Sequence, residues 1–343
     1  MKGRAALGAA LAGVLLAAGV QGIDVTGTDN VTHAIGAAAI GSVGGPAVAT
    51  APAKRLTPPG PTLGGCPVYP TDNAWNTKIR DAPLLTNSAQ MISYIQAHGG
   101  DNLHPDFGEN PNYGIPFVVV PQNQPLVPIR YDAYGDESEP GPFPIPLNAP
   151  VEGGPGVTSG DRHVLVLQQG TCTLFELGVA RREGNGWLAA GGAVFNLTSN
   201  ALRPLGWTSA DAAGLPILPG LVRFEEVAAG HIDHAIRITF NVTRRGFVLP
   251  ATHFASSVTD VDAPAMGQRF RLKASYDTSG LTGQSLVIAT AMKNFGVIVA
   301  DNGSNWFFQG APSLGWVDDD LNQLKGIPGS AFEAVDMGPV RTS

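Results

Sequence analysis

DRHVLVLQQGTCTLFEL, residues 161–177, holds two apolar runs that meet at Gln169-Gly170. Runs rich in Val, Leu, Thr and Phe suit strands, and glycine in the second turn position suits a two-residue hairpin turn. With Gln168 opposite Thr171, Leu167 faces Cys172, Leu165 faces Leu174 and His163 faces Glu176. Directly opposed residues lie on one side of a sheet. Asp161, His163 and Glu176 therefore share a face with Leu165, Leu167, Cys172 and Leu174, a polar trio at the end of an apolar stripe. A histidine beside a carboxylate is oriented and has its charged form stabilised, as proton transfer near neutral pH requires. His163, Glu176 and Asp161 are accordingly the candidate catalytic groups, with Arg162 a candidate substrate contact. The competing reading is a satisfied cross-strand ion pair on a half-buried sheet. A slip of one residue in register would undo the shared face.

Outward from this hairpin, residues 117–121, 231–240, 268–276 and 296–301 also alternate or run apolar between Gly, Pro and Asn, as strands do. Helical spacing occurs over residues 88–98, where Met91, Ile92 and Ile95 fall on one face and Gly99 follows as a stop. Shorter helices are expected over 223–229 and from Leu286 to Phe295 with Ser285 as cap, and Thr208 with Asp211 resembles a capping box. With 44 Gly and 28 Pro in 343 residues, the chain reads as mainly β. An antiparallel sandwich or jelly roll with a few short helices is expected, and a closed barrel of the same strands is the alternative.

The N-terminus carries Lys2 and Arg4 and then an Ala/Leu/Val/Gly stretch with no charge before Asp24, the pattern of a secretory signal peptide cleaved near Gly22. Residues 23–63, Ala/Gly/Pro-rich and without apolar periodicity, read as a disordered linker, and His33 falls in it. Residues 64–343 are then a single β-rich domain. Behind a signal peptide, the two cysteines, Cys66 and Cys172, most simply form a disulfide. The formal net charge of −7, with only 21 Lys plus Arg, argues against nucleic acid as a partner. No membrane span is expected after signal cleavage.

His231-Ile-Asp-His234 looks like a metal motif, but residues three apart on a strand point to opposite faces. His231, Asp233 and Arg237 share the polar face instead and are candidate substrate contacts, while His234 sits with Ile232, Ile236 and Ile238. No metal or other cofactor is expected. His104 and His253 lie in loop-like segments, and His104 joins the candidate contacts. Asp132, Asp136, Glu137 and Glu139 crowd one loop, where close carboxylates raise one another's pKa, although a solvated loop has the same sequence. Trp75, Trp187, Trp207, Trp306 and Trp316 all lie near polar residues or glycine, as a sugar-stacking cleft requires, with Trp207 and Trp306 the candidate contacts.

The blocks LHPDFG, DESEPGPFPIP, GDRH, GWTSADAAGLPILPGLVRFEEV, HIDHAIR and VADNGSNW, in this order, resemble a group of secreted bacterial and fungal hypothetical proteins. The resemblance runs from about Cys66 to Asp336 and implies secretion and a single folded unit, but no activity and no residue role.

Export, a large β domain, tryptophans near polar residues and a His/carboxylate face together suggest a secreted carbohydrate-active enzyme. It would be a glycoside hydrolase or polysaccharide lyase acting on extracellular polysaccharide. A non-catalytic glycan-binding or cell-surface protein is the alternative. An esterase finds no Gly-x-Ser-x-Gly elbow to support it.

Overall fold

A computed structural model describes residues 60–342. The expected signal peptide, His33 and the linker up to residue 59 lie outside the described residues. The last four residues of the expected linker, 60–63, belong to the folded body: Thr62 and Leu63 pair with Pro67 and Cys66.

Along the chain, β1 (Thr62–Leu63) and β2 (Cys66–Pro67) precede α1 (Ser88–Ala97). Next come β3 (His104–Asp106), β4 (Phe117–Val120) and β5 (Ile129–Tyr131). A run of five strands follows: β6 (Val164–Gln168), β7 (Thr173–Gly178), β8 (Arg181–Glu183), β9 (Gly186–Ala189) and β10 (Gly191–Asn196). The second half contains α2 (Phe224–Ala228), β11 (Ile236–Phe240), β12 (Arg269–Leu272), α3 (Gly283–Asn294), β13 (Val297–Asn302), β14 (Phe307–Gln309), α4 (Asp318–Leu321) and β15 (Phe332–Val335).

The strands build a six-stranded sheet in the order β15-β12-β13-β11-β14-β3, a four-stranded sheet β10-β7-β6-β4, a three-stranded sheet β5-β9-β8 and the β1-β2 pair. All are open, so the mainly β class stands and the closed barrel is excluded. Pairing is mixed rather than purely antiparallel: β4 runs parallel to β6, β5 to β9, β11 to β13 and β14 to β3.

The hairpin explains how the layers stack. All five residues of β6 are buried. Leu165 and Leu167 enter a large core shared with Ile236, Ile238, Phe270 and Val299 of the six-stranded sheet. Val164 and Val166 enter a second core with Trp187, Ala189, Phe143 and Ile145. The four-stranded sheet is thus covered on both faces, which is why VLVL shows no polar alternation.

The register differs from the expected one. Gln168 pairs with Thr173, Leu167 with Leu174 and Leu165 with Glu176. The turn is four residues, 169–172, with Gly170 at φ 77° and Cys172 at φ 50°. Cys172 leaves the ladder because it is bonded to Cys66, with Cα atoms 5.3 Å apart. The slip is two residues, an even number, so His163 is no longer opposite Glu176 while the two faces keep their membership.

The disulfide ties β2 to the hairpin loop across 106 residues. A loop of that length corresponds to about 4.7 kcal/mol on the chain-entropy account. Replacing both cysteines by Ser is expected to lower the melting temperature by about 10 °C in calorimetry; an unchanged transition would contradict this role.

The expected helices over 88–98 and 223–229 form as α1 and α2, the first burying Met91, Ile92 and Ile95. The third begins at Gly283 rather than Leu286, with Ser285 buried inside its first turn and bonded to the Asp320 carbonyl. No helix forms at Thr208–Asp211; there Asp211 N–H donates to Ser209 Oγ, and Ser209 donates to the Leu215 carbonyl at 2.6 Å. Among the described residues no helix is long and apolar enough to cross a membrane.

Candidate functional site

One face of the six-stranded sheet carries a row of polar side chains. Ile238 pairs with Phe308 and Thr239 with Phe307, which brings Arg237 on β11 beside Gln309 on β14. Gln309 in turn pairs with Asp106 on β3. A β-bulge completes the row. Ile238 pairs with Val299 but Thr239 pairs with Asp301, so Ala300 is an extra residue in β13. Without it Asp301 would fall on the opposite face; with it Asp301 is turned onto the face of Arg237 and Thr239.

Arg237 is the hub. Its Nε donates to Asp211 Oδ2 at 2.7 Å, Nη2 reaches the other oxygen of Asp211, and Nη1 donates to Gln309 Oε1. Asp301 Oδ2 lies 3.7 Å from Nη2. Arg237 and Asp211 are buried, whereas the Asp301 side chain keeps 20% exposure. Asp211 arrives on the 208–218 loop, which lies over the end of the hairpin.

On the hairpin side, His163 Nδ1 is 2.6 Å from Glu152 Oε2, and Nε2 is 3.2 Å from the Ala210 carbonyl. Both ring nitrogens face oxygen. Burial works against a charge on the ring, but the Glu152 carboxylate, with Asp161 and Asp211 behind it, outweighs burial and raises the His163 pKa to about 10. The ring is thus held toward its charged form against Glu152 rather than facing Glu176, as the hairpin alone suggests. Its positive charge, with that of Arg237, outweighs the burial of Glu152 and lowers the Glu152 pKa below the ordinary carboxylate range.

Asp301 is displaced the other way. Burial, reinforced by the charge of Asp211 and opposed by Arg237, pushes its pKa up to about 7. The remaining exposure of its side chain admits water that screens part of this rise. Asp106 is also raised, first by burial, with Tyr113 and Gln309 opposing. Two carboxyl groups that both feel Arg237 are thus displaced in opposite directions, the kind of difference that separates base from acid. Among the described residues no three His, Cys, Asp or Glu side chains converge as metal ligands.

Glu176 belongs to the structure under the site. It is fully buried, accepts Ile217 N–H at 3.0 Å on both oxygens and Leu218 N–H at 3.0 Å, and so fastens the 208–218 loop to β7. No substrate can touch it there. Asp161 is exposed at the rim, within electrostatic reach of His163 and Asp301. Arg162 turns back to the sheet, its Nε donating to the Ala180 carbonyl at 2.9 Å. Arg162 and Val179 hold φ of 45° and 53° where the ladder ends, a strained backbone beside the centre.

Other expected contacts are dispersed. The strand begins only at Ile236, so alternation does not carry His231 and Asp233 to the face of Arg237. His231 is exposed and Asp233 half-buried, 3.5 Å from each other, while Arg237 is bound to Asp211. His234 is a core histidine, with Nε2 3.1 Å from Glu226 and Nδ1 2.7 Å from the Ala235 carbonyl. Trp306 is completely buried against Phe240, Phe270 and Phe332, so it cannot stack on a ligand. Trp75, Trp187 and Trp316 are core residues as well. Trp207 stays half-buried. His104 does lie on the Arg237 face, two residues from Asp106 and stacked 4.1 Å over Phe307. Burial, with Lys325, lowers its pKa to about 4, so it is neutral. In the acidic loop, Glu139 is paired with Arg203 and Asp132 with Arg181 rather than with other carboxylates.

Two shallow surface depressions share no residue with the polar centre. One of about 470 Å³ is lined by Ala89, Gln90, Ser93, Tyr94 and Asp262. The other, of about 340 Å³, includes Lys273, Tyr276 and Ser330. The polar centre is the candidate site because Arg237 acts there on carboxyl groups displaced in opposite directions.

Compared with protein-family models, with curated proteins and with solved structures, the chain matches none.

Proposed function

We propose that the protein is a secreted glycoside hydrolase acting on extracellular glycan, with Asp301 as general acid and Glu152 as the ionised partner carboxylate. The observation that carries this reading is the opposite displacement of these two carboxylates around Arg237. Glycosidic cleavage needs one carboxyl group to protonate the leaving oxygen and one carboxylate to activate water or attack the sugar carbon. Asp301 supplies the proton and Glu152, held by His163, the negative charge. Asp211, in turn, holds Arg237 in place and adds to the field that keeps Asp301 protonated.

Hydrolysis is favoured over elimination. A lyase must neutralise a uronate carboxylate with a free cation, but His163 and Arg237 are buried and already engaged by Glu152 and Asp211. The exposed groups of the centre are carboxylates. The disulfide, typical of oxidising compartments, and the signal-like N-terminus support export.

The alternative, glycan binding without turnover, is separated by one experiment. The purified exported protein is incubated with neutral and charged polysaccharides, and new reducing ends are measured against an Asp301→Asn variant. Reducing ends from wild type alone support the hydrolase; binding with equal, background release from both contradicts it.

A further inference from the structure

Beside the carboxylate centre lies a second group of side chains that catalysis does not use. Phe195, Arg203 and Trp207 form a pile, with the Arg203 guanidinium 5.6 Å from the centroid of the Phe195 ring and 5.5 Å from that of Trp207. Arg203 is immobilised in the plane between them. Its Nη1 donates to both oxygens of Glu139 at 2.8 and 2.7 Å, Nη2 to the Glu137 carbonyl at 2.8 Å and Nε to the Thr208 carbonyl at 2.9 Å. Thr208 N–H is held by Glu137 Oε2 at 3.0 Å, and the Trp207 carbonyl accepts from Thr252 Oγ1 at 3.0 Å. The acidic loop thus acts as a clamp that fixes the indole.

All five tryptophans lie in the described residues. Four are at most 2% exposed, and Trp207 alone is half-buried. One face of its ring is occupied by Arg203. Leu202 and Leu205, five and two residues before it in the chain, are apolar and 46% and 50% exposed. Four residues further along the same loop is Asp211, a chain distance of at most about 14 Å, or a few sugar rings.

We infer that Trp207 is a stacking subsite for a neutral sugar ring of the glycan whose neighbouring residue reaches the Asp301–Glu152 centre. The inference rests on the glycan reading above and adds the substrate class. A rigid, half-buried indole suits the C–H face of a pyranose, at little entropic cost because the ring is already held. The neutral class follows from the charges on either side. The π-face of Trp207 is already polarised toward Arg203, which disfavours a second cation such as the ammonium of an amino sugar. The ionised Glu152 and the exposed Asp161 at the rim repel a polyuronate.

Because the other four tryptophans are buried, emission changes on ligand addition report Trp207. The full exported protein is titrated with soluble neutral hexose oligosaccharides of several linkages, with chitosan oligomers and oligogalacturonate as charged comparators. At least one neutral oligosaccharide should shift the emission to shorter wavelength, and both charged series should leave it unchanged. Calorimetric affinity for that oligosaccharide should fall about tenfold in Trp207→Ala and less in Trp207→Phe. Where the neutral ligand is turned over, KM should rise with little change in kcat. Should Trp207→Ala fail to fold, wild-type emission and Trp207→Phe still decide.

Binding without an emission change, full affinity in Trp207→Ala, preference for a charged series, or no neutral ligand at all would each overturn the inference. The two proposals fail separately. Neutral ligand stacked on Trp207 without hydrolysis removes the hydrolase and keeps the subsite, whereas hydrolysis unaffected in Trp207→Ala removes the subsite and keeps the hydrolase.

Discussion

Asp301→Asn is expected to lower the rate of glycan hydrolysis by about 10²–10⁴-fold, the usual loss on removing a positioned proton donor. The amide has nearly the shape of the carboxylic acid and no proton to give. Asp301 Oδ1 accepts the Asn302 N–H at 2.7 Å, a bond that an amide oxygen can keep, while Arg237 lies 3.7 Å away and 20% of the side chain is in solvent, so the melting temperature should move little. Glu176→Gln is the matched control. It changes a carboxyl group on the same hairpin face, one that burial also pushes up to about 7, but its side chain is buried and its oxygens serve Ile217 and Leu218 N–H groups. Stability should fall there while kcat stays within a few-fold of wild type. A large activity loss in Glu176→Gln with an unchanged melting temperature would return catalysis to the hairpin face and contradict the assignment.

The second large effect is on stability. Asp211→Ala leaves the Arg237 guanidinium buried, with the partly exposed Asp301 and the neutral Gln309 as its nearest neighbours. Removing one partner of a buried ion pair typically costs about 3–5 kcal/mol, because the other charge is left without compensation. Urea unfolding should therefore show a midpoint lowered by that energy divided by m, with m unchanged. Replacing Arg237 and Asp211 together by Met and Leu should recover part of the loss, since neither charge then remains buried. Equal stability of Asp211→Ala and wild type would show that the pair is not the hub of the sheet face.

The β class, the hairpin and α1 were legible because each follows from local periodicity: VLVLQ and TLFELG are apolar runs around a glycine, and Met91, Ile92 and Ile95 recur at helical spacing. The hairpin register was not legible. It is set by Cys172, which the bond to Cys66, 106 residues away, draws out of the ladder. His163 and Glu152 show the same limit on the site. Sequence brought His163 to attention beside Glu176, but its partner is Glu152, which stands in a Gly/Pro loop with no periodic pattern. Asp301 was hidden because VIVAD reads as a strand in simple alternation, in which Asp301 takes the face of Val297 and Val299. Only the bulge at Ala300, visible in the pairing with β11, turns it toward Arg237. Asp211, alone among small and apolar residues in ADAAGLP, carried the one local hint, an isolated charge in a segment otherwise fit for burial. Trp306 misled for the converse reason: its neighbours in NGSNW are polar, while its ring points between Phe240 and Phe332.

The most direct test of the central claim is the pH dependence of kcat/KM for a neutral glycan. Asp301 must be protonated to act, so activity should be full below its pKa and fall as pH rises through about 7. Glu152 must be ionised, and its lowered pKa places the acidic limb below the ordinary carboxylate range. The account predicts a bell with its alkaline limb near 7, and an Asp301→Asn variant whose residual rate lacks that limb. An alkaline limb near 7 that persists in Asp301→Asn, at wild-type rate, would contradict it.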